Sequence, residues 1–180
     1  MRERVQRKSL PANPIDYQPA TQLVHETDDC VIAVWHNISI GIWGRSATLP
    51  LVLQLENVRE RISSTYPRTS SIHVLVNDAG LPQPDARKKL EQITAEAEAR
   101  LIAVATVVTG GGFRVSALRG FLTSVHWLTR RPYHARVSSS VRDAVDWLAP
   151  LHSAQSVAVD ADALDALIER LCERVVVTRA

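Results

Sequence analysis

The chain has 180 residues, 46% of them hydrophobic, a net charge of +2 and two cysteines. That is a one-domain length with enough apolar side chains for a sizeable core. No apolar run approaches the roughly 20 residues that span a bilayer, which argues against integral membrane contact. Cys30 and Cys172 are too few for a disulfide scaffold or a cysteine-based zinc site.

Residues 1–20 are polar and carry Arg2, Arg4, Arg7, Lys8 and three prolines. They read as a flexible basic tail. With no apolar h-region they do not form a signal peptide, and the low cysteine count predicts a reducing, cytoplasmic setting. The span 21–150 reads as one α/β domain, and 151–180 as a linker followed by an amphipathic helix.

Strand signals come first. Residues 22–27 and 30–35 (CVIAVW) are rich in β-branched and aromatic side chains, and Asp28-Asp29 turns the chain between them. After a second turn at His36-Asn37, ISIGIW alternates Ile38, Ile40 and Ile42 with Ser39, Gly41 and Trp43, which predicts a half-buried strand. The three make an antiparallel meander.

The period then changes. Leu51, Leu55, Val58 and Ile62 recur at helical spacing, with Ser46 or Thr48 as the cap, Pro50 in the first turn and an end before Pro67. SIHVLV at 71–76 predicts a buried strand, and NDAG turns out of it into an irregular LPQP loop. Asp85 is the expected cap of the next helix, with Ala86, Leu90, Ile93 and Ala97 on its inner face. LIAVATVV at 101–108 is a further strand. Gly110, Gly111 and Gly112 turn the chain into a third helix, where Val115, Leu118, Leu122 and Val125 are the expected core face and Pro132 the stop.

A short strand at 133–137 and a helix capped by Ser138, Ser139 or Ser140 and ended by Pro150 follow. Leu164, Leu167, Ile168, Leu171 and Val175 then line a last helix, with Asp160 and Asp162 near its positive end. The order β-β-β-α-β-α-β-α-β-α plus a final helix predicts α/β architecture. The sheet is mixed and largely parallel with an antiparallel N-terminal meander, packed by about four helices, plus the extra C-terminal one.

That order and several stretches resemble a STAS-like domain, the group of the anti-sigma-factor antagonists, including bacterial SEC14-like variants. The resemblance covers about residues 22–150. It rests on the meander, on IHVLVNDAG, on VATVVTGGGFRVSALRG and on the closing SSSVRDAVDWL. In the family a Ser/Thr sleeve commonly precedes a last helix with an acidic residue, Ala and Trp-Leu. The resemblance implies a non-enzymatic protein-binding, regulatory module. Many members carry Asp-Ser-Ser/Thr-Gly after the central strand, the serine being phosphorylated. Here the stretch reads Asn77-Asp78-Ala79-Gly80, so Asp78 stands where the phosphoacceptor would, as a lasting but weaker negative charge. The missing hydroxyl puts kinase control in doubt.

The residues offer three interaction regions. The first is the loop with Asp78 and Gly80. The second is the glycine turn and its helix, with Gly111, Gly112, Arg114, Arg119, Arg130 and Arg131. No Asp or Glu falls between Thr109 and Arg142, so an acidic protein partner is the expected one. Glycines at a helix start also suit a small anionic or lipid ligand, which is the alternative, although the spacing is that of neither a dinucleotide fingerprint nor a Walker-type phosphate loop. The third region is the last helix, whose stripe, Leu167 and Leu171 included, either packs on its own sheet or joins two copies as a homodimer. The six histidines show no HxH, HExxH or i, i+4 pairing, so no metal is expected. No cofactor motif, no catalytic constellation and no aromatic platform for nucleic acid stands out.

Overall fold

The structure, a computed structural model, describes residues 21–76, 79–128 and 131–176, with the main chain alone at 113, 114, 124–128 and 176. Asp78 and Arg130 lie outside the described residues, as do the tail and the last four positions.

Six strands form one sheet in sequence order: β1 (Thr21–Thr27), β2 (Cys30–Trp35), β3 (Ile38–Trp43), β4 (Thr69–Leu75), β5 (Leu101–Val108) and β6 (His134–Ser138). The pairs β1–β2 and β2–β3 are antiparallel; β3–β4, β4–β5 and β5–β6 are parallel. The helices are α1 (Leu49–Thr65), α2 (Pro84–Ala97), α3 (Phe113–Leu128), α4 (Val141–Ser153) and α5 (Ala161–Val176), with a 3-10 turn at Glu98–Arg100. This is the mixed α/β element order expected from the sequence.

Connection geometry sets the layers. The crossovers through α1, α2 and α3 each join neighbouring parallel strands in one direction along the sheet. Right-handed crossovers therefore place all three helices on one face. There Val52, Leu55, Val58 and Ile62 of α1 and Ala86 and Ile93 of α2 bury against Cys30, Ile32 and Trp43. On the opposite face α4 and α5 cover Ile38, Ile40, Ile42, Ile72, Val74, Ala105 and Val107. The central strand is therefore buried on both faces, not half-buried: all six residues of β3 are closed off from solvent. Period-2 alternation in ISIGIW marks two different cores rather than core against water.

Local chemistry explains most boundaries. Thr48 is the N-cap of α1, without a side-chain cap bond, and Pro50 sits in the first turn. Pro84 opens α2, so Asp85 lies inside the first turn instead of capping it; its Oδ1 accepts from the Ala86 N–H at 2.8 Å. Ser140 caps α4 by accepting from Asp143 N–H at 3.2 Å, and Asp160 caps α5 by accepting from Ala163 N–H at 3.0 Å. Pro150 does not end α4, which runs on to Ser153. Pro150 has no N–H to give the Asp146 carbonyl, and the helix goes on for only three residues beyond it.

The last helix is part of the domain core and not an appendage. Leu164, Leu167, Ile168, Leu171 and Val175 are all at most 5% exposed. Arg174 donates to both oxygens of Glu26 on β1, at 2.7 and 2.9 Å, and Arg142 ties α4 to Asp162 at 2.6 Å. A stripe buried within its own chain has no apolar face left for a second copy, which removes the premise of a homodimer through Leu167 and Leu171.

Candidate functional site

The three parallel strands β3, β4 and β5 end at Trp43, Leu75 and Val108, and the loops after them gather at one edge of the sheet. Crevices outside the carboxyl ends of such strands are the usual ligand sites of α/β sheets. Of the residues predicted from sequence, Gly80, Gly111, Gly112 and Arg119 come to this edge.

The glycine turn has a specific build. Gly110 and Gly112 take positive φ, 91° and 94°, which side chains rarely adopt, and Gly111 does not. Arg119, one turn and a half into α3, reaches back over them. Its Nε and Nη2 donate to the Val108 carbonyl at 2.9 and 2.6 Å, and Nη2 also donates to the Gly110 carbonyl at 2.8 Å. The guanidinium is committed to the chain's own oxygens and fixes the turn.

The other arginines of the acid-free run whose side chains are described disperse in the same way. Arg131 donates to the Tyr133 hydroxyl and lies 5.5 Å from its ring centroid. Arg136 lies 5.9 Å from the Trp147 ring centroid, and Arg142 pairs with Asp146 and Asp162. Since α3 and α4 occupy opposite layers, the run of like charge in the sequence is not one basic face in space. Leu167 and Leu171, at 3% and 1% exposure, sit in the core.

What the edge does present is apolar. Among the described side chains of α3 none is fully buried: Val115, Leu118 and Leu122 keep part of their surface and Phe121 is 49% exposed. The expected core face of this helix is only partly covered. Between α3, α2 and the sheet opens a cleft of about 160 Å³. Trp43, Leu75, Leu90 and Leu122 line it, with His73, Thr106 and the Asp29-paired Arg45 as polar groups. A wider groove of about 510 Å³ between α2 and the segment that enters β6 has Arg87, Glu91, Glu98 and Arg131 in its walls, a mixed-charge surface that water solvates well.

The cleft floor is written in three residues. Gly41 pairs in register with His73, and a Cβ on Gly41 would stand 3.0 Å from the Trp43 indole and 3.1 Å from His73 Nδ1. The missing side chain lets the Trp43 ring fold back over Gly41, where Nε1 donates to His73 Nδ1 at 3.4 Å. Burial, with Arg59 nearby, pushes the His73 imidazole down to about 4, so it is neutral at pH 7.

A second polar cluster lies at the opposite end of the strands. His152 Nε2 is 2.9 Å from Asn37 Oδ1 and Nδ1 is 2.8 Å from Ser70 Oγ. Asn37 Nδ2 donates to the Arg68 carbonyl and to Ser156 Oγ, each at 2.6 Å, which fixes its oxygen as the acceptor for His152. Burial and nearby His36 push His152 down to about 4. The spacing has the look of a nucleophile, base and orienting group, but Asn37 and His152 are fully closed to solvent and Ser70 is 1% exposed. The cluster is a lock between β3, β4 and α4. By sequence Asn37 is a turn residue, and no spacing signal links it to His152.

Neither cysteine is a thiolate: burial pushes Cys30 and Cys172 up to about 12. Among the described residues no group of His, Cys, Asp and Glu is arranged to hold a metal, and no helix is long and apolar enough to cross a membrane.

No protein-family model matches the chain. No curated protein is similar to it. A solved structure is: an uncharacterized protein of the DUF3478 family with a SpoIIAA-like fold, from Shewanella loihica PV-4. The two share 13% identity and a TM-score of 0.49, over 72% of this chain and 94% of that one.

Proposed function

We propose that the chain is a non-enzymatic protein-interaction module of the STAS-like type, and that it docks through the outer face of α3. The observation that carries this reading is Phe121, 49% exposed on a helix with no fully buried described side chain. Leu118, one turn before it, is also partly open. Large side chains of this kind are favoured as interface anchors, because each removes much apolar surface from water at little entropic cost. Leu53, the other exposed large apolar side chain among the described residues, lies on α1.

The test is paired affinity capture with mass spectrometry, using wild type and Phe121→Ser at matched folding by circular dichroism. A protein captured by wild type and lost from the variant supports the reading. Identical captures from both overturn it.

A further inference from the structure

The cleft between α2, α3 and the sheet has the features of a ligand site in its own right. Its lining is mostly apolar, and its volume of about 160 Å³ matches one small ring and not a drug-sized molecule. One polar group is aimed and fixed. The Trp43 indole can only donate, so its 3.4 Å bond to His73 Nδ1 makes Nδ1 the acceptor and leaves the ring proton on Nε2. Among the described residues Nε2 meets no partner, and it is not among the atoms sealed off from solvent. His73 itself lines the cleft. This N–H belongs to a residue that lines the cleft and has no acceptor among the described residues. Water can satisfy that N–H in the open cleft, and a ligand acceptor takes the water's place while the ring covers the apolar walls.

We propose that this cleft binds a small neutral molecule, of single-ring size, whose one hydrogen-bond acceptor is held by His73 Nε2–H. The ring lies between Leu90, Leu122 and the Trp43 indole. The one charged group in the lining, Arg45, already pairs with Asp29 at 3.0 Å, so a neutral carbonyl or ether is preferred over a carboxylate. Gly41 is a positioning residue of this site, because a Cβ there would push the Trp43 ring and His73 Nδ1 away. The proposal does not rest on docking through α3.

The experiment is an NMR titration of the full chain, following the Trp43 indole N–H. The signal is assigned by its absence in Trp43→Phe. Acetophenone, ethylbenzene and benzoate serve as probes: ring plus acceptor, ring alone, and ring plus charge. Saturable shifts with acetophenone, weaker with ethylbenzene by about fivefold and weaker still with benzoate, are expected. In His73→Leu acetophenone falls to the level of ethylbenzene. Leu90→Trp, which fills the cleft, abolishes both. If His73→Leu does not fold, Gly41→Ala takes its place, with the same loss of preference for acetophenone expected. No saturable shift in wild type overturns the site, and equal affinities for acetophenone and ethylbenzene in wild type overturn the role of His73.

Discussion

His152 Nε2 lies 2.9 Å from Asn37 Oδ1, and this bond joins residues 115 positions apart in the chain. It ties the last turn of α4 to the turn that opens β3. With Ser70 on the other ring nitrogen, the imidazole is satisfied only as the neutral form: Nε2–H donates to Asn37 and Nδ1 accepts from the serine hydroxyl.

Acid should therefore loosen the fold early. In the unfolded chain a histidine takes up its proton near 6.5, whereas His152 and His73 in the fold are held down to about 4. Between those values the unfolded state binds more protons, so stability is complete above about pH 6.5 and falls as pH drops towards 4. For the fully buried His152 the loss amounts to about 3 kcal/mol. Urea unfolding from pH 7.5 to 4.5 measures it. In His152→Gln the stability at pH 7 is lower by about 1–3 kcal/mol and the slope in this window is reduced. An unchanged slope would mean that His152 is not held neutral.

Gly44 reports whether α5 belongs to the domain. A Cβ at this position would stand 2.4 Å from Val175 Cγ1. Gly44→Ala is expected to cost about 1–3 kcal/mol by overpacking, and Val175→Ala in the same chain to recover part of it. Leu171→Ala alone costs about 2–5 kcal/mol. Additive, small effects in the Gly44 and Val175 cycle would place α5 elsewhere.

The glycine turn separates conformation from space. Gly112→Ala must hold φ near 94° and is expected to cost about 1–2 kcal/mol, while Gly111→Ala, whose Cβ meets nothing within 4 Å, stays within about 0.5 kcal/mol. Arg119→Lys loosens the same turn, because a single ammonium does not reproduce the forked grip on the Val108 and Gly110 carbonyls. Thermal melts and amide exchange at the start of α3 read both effects.

Much of this architecture is legible in the residues. Period-2 and period-3.6 spacing locate the strands and helices, and the two tight turns pair the first three strands as a meander. Burial against what is a different matter. The spacing of Val115, Leu118 and Leu122 is that of a core-facing stripe, yet the helix is only partly covered, and the same spacing in Leu164, Leu167 and Leu171 goes fully inside. Periodicity fixes that a stripe exists and is silent on whether the chain or a partner covers it. Nor does a run of arginines predict a basic face when a β-strand carries the chain from one layer to the other. The cleft depends on Gly41, Trp43 and His73 meeting across two strands, and the lock on Asn37, Ser70 and His152 meeting across three elements. These are tertiary contacts with no signature in local spacing.

The docking role of α3 is tested most directly by titration calorimetry of the captured partner against wild type and Phe121→Ser. The variant is expected to keep wild-type stability within about 0.5 kcal/mol, because its side chain is half in water, and to bind at least about tenfold more weakly. Binding within about twofold of wild type, at equal stability, would contradict docking through this helix.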